Sequence, residues 1–156
     1  MTEVSFASHF PDIVSLNKHA CIGKVVAGLS AKIIDPEGNE LPANEKGEMC
    51  VKGPTIMKGY LNREEATREA LNDGWLRTGD IGYYDEDGDF FIVDRIKELI
   101  KVKGLQVPPA ELEDLLLTHP SIKDAAVIGI PDSASGELPK AFVVASGNLT
   151  EKDVQT

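Results

Sequence analysis

The chain has 156 residues, 42% of them apolar, and a formal net charge of −10 at pH 7, the composition of a globular protein with one ordinary domain or two small ones. The acidic balance argues against a general binder of nucleic acids or anionic membranes, because such a protein needs a basic face. No apolar run approaches the length of a membrane span. The two cysteines lack metal-ligand spacing, so we expect reduced thiols in an intracellular protein.

The first half of the chain is predicted to form short strands that are separated by turns. Residues 1–20 show no clear periodicity and predict a loop, whereas residues 24–29, 31–34 and 48–51 predict strands. Several short strands at this spacing favour an antiparallel sheet or a small barrel. Asn62 then predicts the N-cap of a short helix.

The second half predicts two hairpins, a helix and two buried strands. An acidic Asp-Gly turn joins the strands of the first hairpin, and a Lys-Gly turn joins those of the second. The last two strands are almost wholly apolar, which is typical of strands that are buried on both faces. The predicted elements are strands 80–84 and 90–93, strands 98–102 and 105–107, a helix over 110–117, and strands 125–130 and 141–145.

The acidic turn of the first hairpin shares some features with a calcium-binding loop. If Gly88 takes the place of the EF-hand glycine, Asp85 and Asp87 fall at the third and fifth ligand positions. Tyr83 then takes the first position, where it offers no carboxylate, and Asp94 replaces the bidentate glutamate. The pattern therefore predicts a hairpin turn rather than a calcium site.

Four cations follow this turn within a short segment of an acidic chain, and such a cluster favours an anionic small molecule. They are Arg95, Lys97, Lys101 and Lys103. Arg95 offers a planar fork of donors, whereas Lys101 offers a mobile point charge that suits a phosphate. Asp80 follows a bend that contains glycine, and its two oxygens can accept hydrogen bonds from vicinal hydroxyls. From composition alone, a solvated charged hairpin stays the stronger interpretation of the lysines.

No familiar catalytic or metal-binding pattern occurs in the sequence. The three histidines share no metal-ligand spacing, so we expect solvated or capping side chains at His9, His19 and His119. A Walker A loop, a dinucleotide-binding glycine motif and an HExxH motif are all absent. The function must therefore be argued from longer segments.

Four longer segments, taken in order, carry a resemblance to a known family. They read GEMCVKGPTIMKGYLN (47–62), WLRTGD (75–80), FFIVDRIKELIKVKGLQVPPAELE (90–113) and GELPKAFVV (136–144). The chain resembles the adenylate-forming superfamily, which includes acyl- and aryl-CoA ligases and beetle luciferase. Its segment Asp94-Arg95-Ile96-Lys97 is similar to the hinge of the 4-coumarate–CoA ligase and luciferase branch. Peptide-synthetase adenylation domains have a Gly-Arg-x-Asp pattern there.

The resemblance implies an α+β fold, in which an antiparallel β-rich subdomain (a small distorted barrel) precedes a hinge and a partial small α+β C-terminal domain. Residues 1–94 would be the last subdomain of the large AMP-binding domain, and residues 95–156 the hinge and a truncated mobile domain.

The reaction that the resemblance implies has two steps. A carboxylate attacks the α-phosphate of MgATP to give an acyl-adenylate and pyrophosphate; the small domain then rotates, and the thiol of coenzyme A releases AMP.

By resemblance, the nucleotide is bound mainly by residues of the first part. Met1-Thr2-Glu3 resembles the tail of a Tyr-Gly-x-Thr-Glu motif. Thr2 and Glu3 would therefore help to hold the ATP phosphates and Mg²⁺, with Glu3 as the metal ligand. Asp80 would bind the ribose hydroxyls, Arg95 would assist it, and Ile92 would pack near the nucleotide.

The same resemblance assigns the thioester-forming step to the second part. Lys97 would be the hinge residue about which the small domain turns. Lys101 and Gln106 would meet the adenylate in the thioester-forming orientation, with Lys103 and Gly104 beside the coenzyme A tunnel. Lysines can stabilise developing charge on a phosphate, and a glycine lets the pantetheine chain approach closely.

Several expected parts of such an enzyme match no segment of this chain. They are the glycine-rich phosphate loop, most of the acyl pocket and the lysine that assists adenylation. We therefore expect a piece of a longer ligase that is inactive alone, and a helix-capping pattern at Thr150, close to the end of the chain, favours the same interpretation. Two alternatives stay open: a luciferase-like parent, and a short, non-catalytic form that binds nucleotide or a partner. The KELIK run (97–101) argues against a synthetase that loads a carrier protein.

The expected partners are a carboxylic acid, ATP and coenzyme A, with no nucleic acid and no membrane span. These residues do not identify the acid. The expected location is intracellular, either cytoplasmic or peroxisomal. Truncation would expose the apolar strands 125–130 and 141–145, so we expect self-association or a loosely ordered tail.

Overall fold

The computed structural model describes residues 1–147 of the chain. The chain divides into two compact units, Met1–Ile96 and Lys97–Thr156. The predicted domain boundary between residues 94 and 95 stays a prediction. The roles that the sequence assigns to the two parts stay predictions.

Antiparallel strands form most of the first unit. The strands are β1 (His9–Phe10), β2 (Cys21–Val25), β3 (Ser30–Ile34), β4 (Gly47–Lys52), β5 (Leu71–Asn72), β6 (Trp75–Tyr84) and β7 (Phe90–Arg95). Their order is β1-β2-β7-β6-β4-β3, and β5 pairs with β6 beside this path. The unit also contains 3-10 segments at Thr2–Val4 and Ser15–Asn17 and one helix, α1 (Glu64–Ala70).

The core of the first unit sets the register of its central strands. Ile33, Met49, Val51 and Phe90 form one buried cluster, and Ile33 lies opposite Met49 in the β3–β4 ladder. Burying an apolar side chain of this size stabilises the fold by about 1.5–3 kcal/mol. A slip of one residue would turn these side chains away from the core, so the register of β4 is well determined.

The second unit contains a small antiparallel sheet and one helix. Its elements are β8 (Ile100–Val102), β9 (Leu105–Val107), α2 (Pro109–Leu117), β10 (Ile122–Asp132) and β11 (Gly136–Ala145). A 3-10 segment (Ile96–Glu98) precedes them and includes the unit boundary. The strand order is β10-β11-β8-β9. The helix packs against β10, and the Glu113 Oε1 atom accepts a 2.8 Å hydrogen bond from the Val127 amide.

The predicted fold class, α+β with an antiparallel β-rich first part, is confirmed. The bounds of one predicted strand are wrong, however. The strand predicted at 24–29 is Cys21–Val25 in the structure, and it pairs with His9–Phe10 and Phe90–Arg95. The chain turns at Gly28, which has a φ of 87°, and this turn redirects β3 towards β4.

Two further local predictions are wrong. Asn62 does not cap α1; it has a left-handed φ of 56°, and Arg63 takes the cap position without a side-chain hydrogen bond. Strand β11 is not buried on both faces, because nearly all of its residues are exposed in the structure. The apolar Phe142 and Val144 side chains are 51% and 57% exposed.

Neither helix among residues 1–147 combines the length and the apolar character that crossing a membrane requires.

Candidate functional site

The hairpin of β6 and β7 brings Asp80 and Arg95 together. The two residues lie opposite each other in the ladder, and the Arg95 Nε atom donates a 3.1 Å hydrogen bond to Asp80 Oδ1. The Asp80 side chain is 20% exposed and the Arg95 side chain is 51% exposed, so solvent reaches the pair. A carboxylate with two acceptor oxygens, held by a fixed guanidinium, is suited to binding paired hydroxyls.

Asp80 is the last residue of a bulge in β6. The β4–β6 ladder pairs Cys50 with Arg77 and Glu48 with Ile81, so Met49 alone faces three residues of β6. The middle one, Gly79, has a φ of 73°, a left-handed conformation that suits glycine. The bulge therefore adds two residues to β6 relative to β4, and Asp80 lies at its end.

Side chains hold this bulge in place. Glu48 Oε1 accepts a 3.2 Å hydrogen bond from the Gly79 amide, and the Thr78 hydroxyl donates to the Met49 carbonyl at 2.8 Å. The Arg77 guanidinium donates to Glu48 Oε2 through two nitrogens, with Nε at 2.8 Å. Hydrogen bonding to Glu48 raises the pKa of Arg77. Sequence reasoning gave no role to Glu48 or Arg77, although a carboxylate within the buried run of β4 is a signal for a buried ion pair.

The other nucleotide-binding residues predicted in the first unit lie in different surroundings. Glu3 follows Thr2 in the first 3-10 segment, and its Oε1 atom accepts a 3.1 Å hydrogen bond from the Tyr60 hydroxyl. Burial, and then this hydrogen bond, raise the pKa of Tyr60. Ile92 lies opposite Gly82 and packs against the core cluster. Among residues 1–147, no hydrogen bond or ion pair joins these side chains to the Asp80–Arg95 pair.

The predicted lysine hairpin of the second unit is present. Lys101 and Gln106 face each other across the β8–β9 ladder. Lys103 and Gly104 form the two-residue turn, and both have a positive φ, of 50° and 83°. That pair of conformations matches the twist of tight hairpins. Lys97 lies before this hairpin, in the 3-10 segment at the unit boundary.

Glu137 is a further residue of this region that sequence reasoning missed. Its Oε2 atom accepts a 2.7 Å hydrogen bond from the Lys101 amide. Strand β11, which carries Glu137, pairs with β8 through Gly136 and Val102. The GELPK segment therefore anchors the backbone of the lysine hairpin.

The acidic turn is neutralised from within the chain. The Lys18 ammonium donates hydrogen bonds of 2.5, 2.9 and 2.7 Å to Asp85, Asp87 and Asp89. The ligand oxygens of these acids lie within 4.8 Å of one another, and the ammonium binds all of them. Ser15 also donates to Asp89 at 2.6 Å. These contacts raise the pKa of Lys18 and lower that of Asp89, so the turn is a structural ion cluster.

The expectation for His9 is wrong. This side chain is only 8% exposed and lies with its ring centroid 4.5 Å from that of Phe90. Burial lowers the pKa of His9 to about 4, because the charged imidazolium loses its hydration there. His9 is therefore a neutral residue of the interior at neutral pH.

With this geometry in place, two family models match the chain. The model for AMP-binding enzymes matches residues 1–61, and the model for their C-terminal domain matches residues 111–156. The chain belongs to the AMP-binding enzyme family. The predicted resemblance to adenylate-forming enzymes is thereby confirmed.

Two curated relatives of this AMP-binding chain come from its predicted branch. Luciferin 4-monooxygenase from Nipponoluciola cruciata is 58% identical over 142 residues, which cover 88% of this chain and 26% of the relative. 4-Coumarate–CoA ligase 1 from Glycine max is 58% identical over 140 residues, which cover 88% of this chain and 47% of the relative. The chain thus spans about a quarter to about half of these relatives.

A solved enzyme of the same family has the same fold. The o-succinylbenzoate CoA synthetase from Bacillus subtilis, in complex with its acyl-adenylate intermediate, matches with a TM-score of 0.87 at 35% identity. The match covers 99% of this chain and 32% of that one. The same enzyme has been solved with ATP and a magnesium ion, and that structure matches with a TM-score of 0.86.

Proposed function

We propose that the chain is part of an ATP-dependent acyl- or aryl-CoA ligase. The observation that carries this proposal is the Asp80–Arg95 pair, a partly exposed carboxylate fork held beside a bulge. Its support is that a CoA ligase is among the similar proteins and that a solved relative holds an acyl-adenylate. The reaction begins when a carboxylate oxygen attacks the α-phosphorus of ATP and pyrophosphate leaves.

In this proposal, the first unit binds the nucleotide. Asp80 accepts hydrogen bonds from the two ribose hydroxyls, and Arg95 keeps its carboxylate ionised and oriented. Thr2 and Glu3 hold the ATP phosphates and Mg²⁺, and Ile92 packs near the nucleotide. A single carboxylate fits Mg²⁺, which usually takes one or two carboxylates together with phosphate oxygens and water. Bound there, Mg²⁺ would neutralise phosphate charge.

The second unit acts in the thioester-forming step. The coenzyme A sulfur attacks the acyl carbon, and AMP leaves as its phosphate takes up the bonding electrons. Lys101 and Gln106, which face each other across the hairpin, stabilise the departing phosphate. Lys103 and Gly104 lie beside the path of coenzyme A, and Lys97 is the hinge residue.

The proposal is tested by exchanging segments. This chain replaces the matching segment of the Glycine max 4-coumarate–CoA ligase, with which it is 58% identical. We expect the hybrid to form acyl-CoA from 4-coumarate, and the chain alone to give no ATP–pyrophosphate exchange. A folded hybrid that binds no ATP would contradict the proposal, as would exchange activity in the chain alone.

Replacing Lys101 in the hybrid separates the two half-reactions. We expect Lys101→Ala to lower thioester formation by about tenfold or more, because a charge-assisted contact to the phosphate is lost. Adenylation, measured by ATP–pyrophosphate exchange, is expected to stay within a factor of about two. Lys123→Ala, at an exposed lysine of β10, serves as a control for a lost surface cation. An equal fall in both half-reactions would contradict the assignment of Lys101.

A luciferase-like parent is the second candidate. Luciferin 4-monooxygenase from Nipponoluciola cruciata is as similar to the chain as the plant ligase, at 58% identity for both. Replacing the matching segment of that luciferase with this chain tests this candidate through light emission with luciferin and ATP. If only the luciferase hybrid is active, the result favours a luciferase-like parent. If only the ligase hybrid is active and forms acyl-CoA, the result favours a ligase.

We further propose an intracellular location, cytoplasmic or peroxisomal, and self-association of the isolated chain. The free thiols Cys21 and Cys50 support the first proposal, and the exposed Phe142 and Val144 support the second. Imaging of a tagged chain tests the location. Light scattering across a concentration series tests the association, and a constant monomer mass would contradict it.

A further inference from the structure

Glu48 connects the core of the first unit to the strand that carries Asp80. It lies on β4 and is only 7% exposed. Among the described residues, its carboxylate accepts hydrogen bonds from β6, namely from the guanidinium of Arg77 and the amide of Gly79. These donors lie on either side of Thr78. The carboxylate therefore spans the start of the bulge.

The bulge needs such an acceptor because the ordinary ladder is interrupted there. Three residues of β6 face one residue of β4, so the backbone of β4 cannot pair with all their amides. Side chains supply the missing acceptors: Glu48 accepts from the Gly79 amide, and the Thr78 hydroxyl accepts from the Asp80 amide at 3.1 Å. The Thr78 hydroxyl also donates to the Met49 carbonyl.

The bulge in turn shapes the backbone at Asp80. Asp80 is the last of its three residues and also the first residue of β6 that pairs with β7, where it lies opposite Arg95. Its amide donates to the Thr78 hydroxyl, and the preceding Gly79 has a left-handed φ of 73°. The position of the Asp80 carboxylate thus depends on the contacts that keep the bulge formed.

We propose that Glu48 is a positioning residue for ribose recognition, acting through the Gly79 amide to fix the Asp80 carboxylate, with Arg77 orienting Glu48. This inference rests on the proposed binding of ribose by Asp80. It assigns a role in recognition to an acid that does not touch the nucleotide.

The first test measures the bulge directly in the chain. Amide hydrogen exchange, followed by NMR, is compared for wild type, Glu48→Ala, Glu48→Gln and Lys18→Met. We expect Glu48→Ala to speed exchange at Gly79 and Asp80 by about tenfold or more relative to Val51, whereas Glu48→Gln keeps most of the protection through its carbonyl oxygen. Lys18→Met, which removes an ion cluster at the opposite end of the same hairpin, should leave this ratio unchanged.

The second test measures ribose recognition in the ligase hybrid. The ratio of kcat/KM for ATP to that for dideoxyATP, which lacks the ribose hydroxyls, reports contacts to those hydroxyls. We expect Asp80→Ala to bring this ratio close to one and Glu48→Ala to lower it by about tenfold, because the carboxylate is then misplaced. Glu48→Gln should restore most of the ratio, and Lys18→Met should not change it.

The outcomes distinguish ribose binding by Asp80 from positioning by Glu48. If Asp80→Ala leaves the ratio intact, ribose binding by Asp80 is wrong, and the role of Glu48 falls with it. If Asp80→Ala collapses the ratio but Glu48→Ala lowers kcat/KM equally for both nucleotides, Glu48 only stabilises the fold. The inference is also overturned if Gly79 keeps its protection in both Glu48 variants.

Discussion

The two ends of the β6–β7 hairpin both carry acids and a cation, yet their charges are arranged differently. At the turn, Lys18 binds three carboxylates, and Asp89 is only 1% exposed. At the other end, Asp80 has one cation, Arg95, as its ion-pair partner among residues 1–147, and both side chains reach solvent. A buried carboxylate destabilises the fold when its cation is removed, whereas a partly exposed carboxylate keeps acceptor capacity for a ligand.

The largest expected effect follows from removing the Asp80 carboxylate, at the end of the hairpin away from the turn. In the ligase hybrid, Asp80→Ala should lower kcat/KM for ATP by about 100-fold, because two charge-assisted hydrogen bonds to ribose are lost. The melting temperature should change little, since the Asp80–Arg95 pair is partly exposed. Asp87→Ala, at the exposed rim of the turn, is the matched control. A large fall in melting temperature with unchanged kinetics would show that Asp80 stabilises the fold and does not bind ATP.

Removing Lys18, the cation at the turn, should lower stability without affecting ATP binding. Lys18→Met leaves the buried Asp89 without its ammonium partner, so the melting temperature of the chain should fall by several degrees. Affinity for ATP in the hybrid should stay the same while the protein is folded. Thermal denaturation and ATP titration measure the two effects. A variant as stable as wild type would show that the cluster contributes nothing to the fold.

As the pH falls, the first unit should lose stability before the carboxylates of the turn are protonated. The pKa of His9 is about 4 in the fold and near 6.5 when the chain is unfolded, so the unfolded state binds its proton first as the pH falls. Stability is therefore fully present above about pH 6.5 and is lost towards pH 4, by up to about 3 kcal/mol.

Urea denaturation between pH 7 and pH 4.5 measures this loss, and His9→Gln should remove most of it. The carboxyls of Asp85 and Asp89 have lowered pKa values, so their contribution is lost only at lower pH, as protons displace Lys18. A pH dependence that is unchanged in His9→Gln would show that other groups cause it.

The smallest expected effect tests whether the turn has room for a metal. Since the Lys18 ammonium binds all three acids, millimolar Ca²⁺ should not raise the melting temperature of the wild-type chain. Lys18→Met should acquire a small increase with Ca²⁺, and the further substitution Asp87→Asn should reduce it. A clear increase in wild type would show that calcium displaces the lysine.

Local sequence patterns were enough to predict both hairpins and their turns. Asp-Gly and Lys-Gly sequences between apolar runs specify tight turns through the backbone conformations they allow, and Lys103 and Gly104 adopt them. The longer motifs were enough to predict the family and the α+β fold class. These features depend on residues that are close together in the chain, and the sequence contains them directly.

The tertiary structure alone decided which charges remain available at the hairpin. Lys18 meets Asp85 across 67 positions of sequence, and Glu48 reaches Gly79 across 31 positions. Such contacts depend on strand order and on a register that includes two extra residues in β6, neither of which any local pattern encodes. The burial of His9 and the exposure of β11 follow from packing in the same way. The sequence therefore determined which residues are candidates for binding a nucleotide, and packing determined which neighbours hold those residues in position.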